Sequence, residues 1–465
     1  MKKSIWLALL LSAMMPAYQV HAQDSLAVTG GIVMSLHEIY ELAEHESRVI
    51  RVGNIGVEAA TEGERTARSA RLPQVDLSLS GSYIGNATLM SRGFSTSGTT
   101  DVILPGLGPQ KVPNGKQETP HWGNTFTARV TQVIYSGGAI SSGIRMAALG
   151  RREMAKLDVE KDRQQVRFLL TGFYLDLFRL GNQMKVVEKN IALTQQVIAN
   201  MKARMEQGTV LQNDLTRYEL QMQSLRLTYT RLQDARSIIN HQLVTTLHLP
   251  EGTVVLPDSA FLVSTGLALN AHEAEDAWQT LAQSNNPEMR QAAMSVSLSE
   301  EKVNVAKAAS RPMVALVVED NIGGPYVNDL IPVDANVNSW FVGLGIKYEL
   351  SSIWKNRNAI RKAKREHSQS GERLALVREQ MDTRVQAEYV NFLTSFTDVK
   401  TQHKQVELAE QNYNVVHNRY RNELALLTDM LDASNTRLAA EMALVDAYIS
   451  LLYNYYKLKY TVGGL

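Results

Sequence analysis

The sequence predicts a mainly α-helical chain with a membrane β-barrel portion, built as a helix, strand, strand, long helix, helix repeat that occurs twice. Three observations predict it. Ala139 to Glu206 runs for 68 residues without a proline, along one apolar seam spaced alternately by four and three. Several stretches of about ten residues alternate polar with apolar side chains, the length and pattern of a tilted membrane strand. The order of elements then recurs at near-constant spacing: 79 positions separate Tyr135 from Asp214, and 80 separate Glu349 from Asp429.

The first 22 residues have a basic start at Lys2 and Lys3, an apolar run from Ile5 to Leu11, and an ending in Val20, His21 and Ala22. That is the layout of an export signal, with cleavage expected before Gln23. No cysteine follows the expected site, which argues against a lipid anchor there. The 48 basic residues less Lys2 and Lys3 leave 46 against 47 acidic ones, a net charge of −1. A nucleic-acid binder would carry a clear basic excess. The chain has no cysteine at all, so disulfides, thiolate metal sites and cysteine nucleophiles are excluded. Beyond the signal no apolar run reaches the ~18 residues of a spanning helix.

The first repeat is expected over residues 23–250. Ser35 with Glu38 three positions on is a capping box, and it opens a helix expected to run to about residue 70, before Leu72-Pro73. Gln74 to Tyr83 alternates strictly, with Val75, Leu77, Leu79 and Tyr83 on one face and Asp76, Ser78, Ser80 and Ser82 on the other. A soluble edge strand would look the same locally. Residues 85–120 are rich in Gly, Ser, Thr and Pro and read as a long exposed loop. A second strand is expected over 125–135, with Gln132 breaking its apolar face.

A long hairpin over 139–249 follows. Its outgoing seam is Val166, Leu170, Phe173, Leu177, Leu180, Met184, Val187, Ile191, Thr194, Ile198, Met201 and Met205. A 3.5-residue repeat holds such a stripe against partner helices as a supercoil. Gly208 suits the left-handed residue that ends a helix, and a second seam returns through Leu211, Leu215, Tyr218, Met222, Leu225, Tyr229, Leu232, Arg236, Ile239 and Leu243. Gly181-Asn182 reads either as a tolerated interruption or as a slight break.

Residues 251–285 form a connector, with a short helix expected from His272 to Gln283. The second repeat, 286–465, begins at Asn286-Pro287-Glu288, a helix start ending at Arg311-Pro312 just as the earlier helix ended at Arg71-Leu72-Pro73. Strands are expected over 313–320 and 340–350. A second hairpin over 354–460 carries seams through Val385, Tyr389, Phe392, Phe396, Val399, His403, Val406, Tyr413 and Tyr420, then Leu431, Leu438, Val445, Tyr448, Leu452 and Tyr455.

Four membrane strands cannot close a barrel, whose minimum is about eight, and an open edge in lipid leaves backbone groups unpaired. The chain must assemble. Three copies give twelve strands, enough for an aqueous lumen, continued by a hollow cylinder of helices.

Asn286-Pro287-Glu288, the junctions Arg71-Leu72-Pro73-Gln74 and Ala309-Ser310-Arg311-Pro312, the strand end Gln132-Val133-Ile134-Tyr135-Ser136-Gly137-Gly138 and the two helix tips recur in order and in duplicate. In these pieces the chain resembles the TolC-like outer-membrane efflux proteins over essentially its whole mature length. The resemblance implies a homotrimer in outer-membrane lipid, with a 12-stranded β-barrel and a long periplasmic α-barrel. Its tip docks a periplasmic adaptor (membrane fusion) protein and an inner-membrane pump of RND or ABC type.

By the same resemblance Asp429 and Asp432 occupy the places of the aspartates that line the closed periplasmic entrance. Being three apart they share a helical face, and in a trimer they form two stacked carboxylate rings that attract cations. The residues alone read equally as a cap at Thr428 or Asp429 and a solvated first-turn charge at Asp432. Tyr420 and Asp214 match the inter-hairpin latch, although Tyr420 also fits the seam. Gly208, Thr209, Glu423 and Leu424 fall at the adaptor-docking tips. Two departures stand out: Glu423 where many relatives have a second tip glycine, and Ala425 where some have a latch-forming basic residue.

The expected function is a passive exit channel for drugs or other small molecules, with no chemistry and no cofactor of its own. The alternatives are the exit duct of a type I protein secretion system and a non-conducting periplasmic coiled-coil scaffold. His37-Glu38 lacks the second histidine four residues on that a metalloprotease helix needs, and Gly106-Leu107-Gly108 has no phosphate-binding strand and helix around it. His403 and His417 read as packed rather than metal-bound, and Met201 and Met205 as seam filler.

Overall fold

The computed structural model describes residues 31–104, 106, 108–208, 210–258, 274–325, 334–422 and 424–465. The expected export signal lies outside these residues. Chain order begins β1 (Ile32–Met34), α1 (Leu36–Glu46), α2 (Arg48–Ser69), β2 (Gln74–Tyr83), β3 (Ala87–Leu89), β4 (Thr99–Leu104), β5 (Gly108–Pro113), β6 (Gly115–Gln117) and β7 (Trp122–Tyr135). The first hairpin is α3 (Ala139–Ala147), a π-helical segment (Ala148–Glu153), α4 (Met154–Glu206) and α5 (Gln212–Leu247), followed by β8 (Val255–Pro257). Then come α6 (Glu275–Asn285), α7 (Pro287–Ala308), β9 (Met313–Gly324), β10 (Val337–Lys347), α8 (Ser352–Arg421) and α9 (Leu427–Val462).

The Ser35 capping box forms: its hydroxyl accepts from the Glu38 N–H, and the Glu38 carboxylate accepts from the Ser35 N–H at 2.7 Å. The single helix expected over 35–70 is divided. Ser47, extended at ψ 122°, gives its N–H to the Ala43 carbonyl and takes the Arg51 N–H on its own, so one buried residue ends α1 and begins α2. The expected loop over 85–120 also holds structure, two short antiparallel pairings, β3 with β6 and β4 with β5. Their sequences lack apolar alternation, and local bonds hold them, Asn114 donating to the carbonyls of Ser95 and Ser97.

β2, β7, β9 and β10 form one antiparallel sheet in the order β10-β9-β7-β2, so β2 and β10 are its edges. The register places Leu77, Ala128, Asp320 and Trp340 in one row on one face, and Asp76, Arg129, Glu319 and Phe341 in the next row on the other. The first face is apolar and open: Val75, Leu77, Leu79, Trp340, Val342 and Leu344 are all strongly exposed. The second carries Ser and Thr and is the more crowded face at β9, where Ala315 is buried.

The outgoing helix departs from a plain α-helix only over Ala148–Glu153, where wider turns place Arg152 Nη1 2.9 Å from Oε2 of the buried Glu64. α4 runs unbroken through Gly181 and Asn182, whose amide donates to the Phe178 carbonyl at 2.9 Å. α8 spans 70 residues, about 105 Å at ~1.5 Å per residue. The Asn286 side chain accepts from the N–H groups of Glu288 and Met289 and caps α7, with Pro287 at its first position. Of the short helix expected from His272, residues 272 and 273 lie outside the described residues, and Ala274 is extended at ψ 143°, so α6 begins at Glu275.

Three hydrophobic clusters run along the bundle. One joins α1, α4, α5 and α9 around Leu36, Tyr174, Leu243 and Leu452. The second joins α6, α8 and α9 around Trp278, Met381, Val385 and Phe392. The third lies at the tips. The outgoing seam of α4 is buried largely as expected. The seams of the second hairpin differ. His403 is exposed, and Gln402 takes its place in the run Val399, Gln402, Val406, Ala409, Tyr413. On α9 Leu452 of the expected seam is buried and Leu431, Leu438, Val445 and Tyr455 are partly so, but Tyr448 is 48 % exposed, and between Met430 and Leu451 the buried line runs through Ala433, Arg437, Ala440 and Ala447. α9 packs on α4 and α8 at once, and close approach on two sides selects alanine over large apolar residues.

Candidate functional site

The two helix turns meet in the third cluster, where Met201 and Leu215 of the first hairpin pack with Tyr413, Leu427 and Met430 of the second. Gly208 ends α4 at φ +79°, and an added Cβ there would meet nothing within 4 Å. It is free for its backbone, not for close packing. Leu424, whose N–H bonds to the Arg419 carbonyl at 2.8 Å, is 67 % exposed, and Leu426 projects likewise. Thr209 and Glu423 lie outside the described residues. Gly208, Leu211, Leu424 and Leu426 thus form an open end to the bundle.

Asp429 and Asp432 are both exposed on the first turns of α9. The Asp429 carboxylate accepts the Leu426 N–H at 3.1 Å, one half of a capping box. The reciprocal half is absent because leucine offers no acceptor. Asp429 is therefore engaged locally while remaining exposed to solvent, and Asp432 is exposed on the next turn.

Tyr420 is half-buried between the hairpins. Burial raises its phenol above the ordinary value; Arg204 opposes the shift and the Asp214 carboxylate adds to it. Tyr420 and Asp214 are thus within each other's field, and among the described residues no side-chain hydrogen bond joins them. Behind them a cavity of about 570 Å³ opens between α4 and α8, lined by Asn200, Met201, Arg204, His417, Tyr420 and Arg421. Burial, then Arg421 and Arg437, holds the His417 imidazole below its usual value.

A polar knot above the tip escaped the periodicity. Arg437 is only 5 % exposed. Its guanidinium carbon lies 3.9 Å from the centroid of the Tyr413 ring, and Nη2 donates to Asn190 Oδ1 at 3.2 Å. Asn190 donates to Glu441, which also takes Lys189 at 3.3 Å. Arginine in an otherwise alanine-lined stripe is the signal that could have found it, since a buried cation is retained where partners surround it. One side chain thereby ties α9 to both α8 and α4.

Residues 278–464 match the model of the outer membrane efflux protein family. No curated protein matches the chain by sequence. Among solved structures, the outer membrane protein VceC of Vibrio cholerae superposes with a TM-score of 0.69 at 15% identity, covering 92% of this chain and 96% of that one. CusC, whose crystal structures concern folding and transmembrane channel formation, gives 0.73 at 16% identity, over 97% of this chain and 98% of its own. The open state of the MtrE outer membrane channel of Neisseria gonorrhoeae gives 0.68 at 14%, over 92% and 89%. The resemblance to the outer membrane efflux proteins holds. The second repeat carries it in sequence, and the fold carries it through the first. OprN and CmeC, also among the structural neighbours, are likewise outer-membrane channels.

Proposed function

We propose that three copies of this chain close into a passive exit duct through the outer membrane, serving an energised pump through a periplasmic adaptor and passing drugs or other small molecules. The observation that carries this reading is the sheet: four strands with an open apolar face and two edges, β2 and β10, that pair with nothing else among the described residues. Such a sheet is stable in lipid only when its edges are joined. Three sheets joined edge to edge make a twelve-stranded barrel. The long helices leave exposed Leu220, Leu227, Leu376, Val390, Leu408 and Val415, a second apolar surface suited to the same threefold closure.

In this reading Asp429 and Asp432 form the carboxylate rings of the resting entrance. Tyr420 and Asp214 hold the hairpins together behind them, and Gly208, Thr209, Glu423 and Leu424 meet the adaptor. Opening is an outward movement of the α8–α9 hairpin against α4, which must part Tyr420 from Arg204 and Asp214. The test is single-channel conductance of the purified protein in a planar bilayer, wild type beside Asp429→Ala/Asp432→Ala. Small cation-selective openings that widen in the double variant support duct and gate together. An unchanged double variant removes the gate, and silence from an inserted protein removes the duct.

A further inference from the structure

The sheet holds a second feature that the tips do not explain. The four strands present few charges: Asp76 on β2, Arg129 on β7, Glu319 and Asp320 on β9, and Lys347 at the end of β10. Three of them share one row of one face. Asp76 lies directly opposite Arg129, and Arg129 directly opposite Glu319. Arg129 Nε donates to Glu319 Oε2 at 2.6 Å, and the Glu319 side chain keeps only 14% of its exposure. Phe341 completes the row on β10, opposite Glu319.

The neighbouring rows on this face contain no charge. Ser78, Thr127 and Asn321 flank the row on one side, and Gln74, Thr131 and Val317 on the other. Lys347 is six residues along β10 from Phe341, roughly 20 Å at ~3.3 Å per residue. That is beyond a Debye length of about 8 to 10 Å, so its field is screened from the row. Asp320 points to the opposite, apolar face with Leu77, Ala128 and Trp340. The face that carries the row is the crowded, hydroxyl-rich one, which becomes the inner wall once the apolar face meets lipid.

We propose that Asp76, Arg129 and Glu319 form an ion filter within the barrel lumen, separate from the tip aspartates and selecting small cations over anions. The inference rests on the exit-duct reading for closure of the barrel. Two carboxylates and one guanidinium leave each chain one negative charge at this level, and threefold closure makes a ring of nine charged groups with net charge −3. The Arg129–Glu319 pair holds the inner carboxylate in place, while Asp76 supplies the uncompensated charge. Phe341 adds bulk at the same height, so an ion passes the ring where the lumen is narrowed. With three unit charges on the order of 10 Å from the axis in salt water, a monovalent ion's occupancy changes roughly twofold. Cation and anion respond in opposite directions, so each neutralised residue changes their permeability ratio by about two- to fourfold.

The experiment measures reversal potentials of the full-length protein in planar bilayers under a potassium chloride gradient. The background is Asp429→Ala/Asp432→Ala, so that the tip does not limit selectivity. Asp76→Asn leaves the Arg129–Glu319 pair intact and should lower the potassium-to-chloride ratio by two- to fourfold without loss of conductance. Asp76→Asn/Glu319→Gln should bring the ratio below one, and Arg129→Gln should raise it above the parent. Equal ratios in the parent and in Asp76→Asn, with normal conductance, overturn the filter and leave the duct standing. A parent protein that inserts but passes no current overturns both.

Discussion

Replacing Arg437 by methionine tests the polar knot that joins the two hairpins. Methionine keeps much of the apolar stem and removes the guanidinium. The substitution loses a desolvated cation–π contact worth about 2 kcal/mol and a charged hydrogen bond to Asn190 worth roughly 1.5–3 kcal/mol. The loss is smaller than the sum. Glu441 keeps Lys189 at 3.3 Å and the Asn190 amide at 3.1 Å, so no carboxylate is left unpaired, and Arg437 Nε lacks a hydrogen-bond partner already. A net destabilisation of about 2–3 kcal/mol follows, felt first as local opening. Amide exchange in native protein, read by mass spectrometry over the lower halves of α8 and α9, should accelerate roughly 30- to 150-fold while β2, β7, β9 and β10 are unchanged. Arg437→Lys should recover little, because an ammonium cannot both stack on Tyr413 and reach Asn190 as the planar fork does. Unchanged exchange in Arg437→Met, or full recovery by lysine, would refute the reasoning.

Other expectations follow from single sites. His417 is held below its ordinary value by burial and by Arg421 and Arg437. The unfolded chain therefore takes a proton near pH 6.5 that the folded tip refuses, and tip stability is full above that pH and declines as pH falls below it. Tip exchange, corrected for its intrinsic pH dependence, should speed up between about pH 7.5 and 5.5, and His417→Phe should remove that dependence. Two buried tyrosines should part company on truncation to phenylalanine. Tyr174 donates to the Met34 carbonyl and accepts the Asp258 N–H, both at 3.0 Å, so its loss should cost about 1–3 kcal/mol by thermal denaturation. The Tyr218 hydroxyl is buried with no hydrogen-bond partner among the described residues, and its removal should be neutral or stabilising. Gly137→Ala should prevent assembly of the strand-to-helix junction: at φ +66° its Cβ would lie 2.6 Å from the Ala308 carbonyl oxygen. Gly208→Ala meets no neighbour and should cost only the left-handed penalty of about 1–2 kcal/mol. Equal yields of folded protein from the two variants would contradict this.

The repeat, the strands and the direction of the first long helix were legible because each rests on period. Leu170, Leu177, Met184 and Met201 are buried at their 3.5-residue spacing, and Val75, Leu77 and Leu79 share a face because strand side chains alternate. Period fails where packing partners differ from face to face. α9 touches two helices at once, so between Met430 and Leu451 alanines and Arg437 form its buried line, and Tyr448 faces out. The division of α1 from α2 at Ser47, and the β-structure within 85–120, rest on backbone bonds without an apolar pattern to announce them. At the tips, residue identity showed Gly208 and the aspartates but not that Asp429 accepts the Leu426 N–H. The row of charges on the sheet was invisible until register placed Asp76, Arg129 and Glu319 side by side, since their separation in sequence carries no sign of it.

Threefold closure through the sheet edges is the central claim, and the absence of cysteine from the chain allows a direct test. Single cysteines placed on β2 at Ser78 or Ser80, each combined with one on β10 at Gly343 or Gly345, would be oxidised in membranes and resolved by denaturing electrophoresis. A disulfide forms only where Cα atoms approach within about 7 Å. Closure of three chains predicts that at least one combination yields a covalent trimer and nothing larger. Monomer alone from every combination, or a ladder continuing past three, would contradict it.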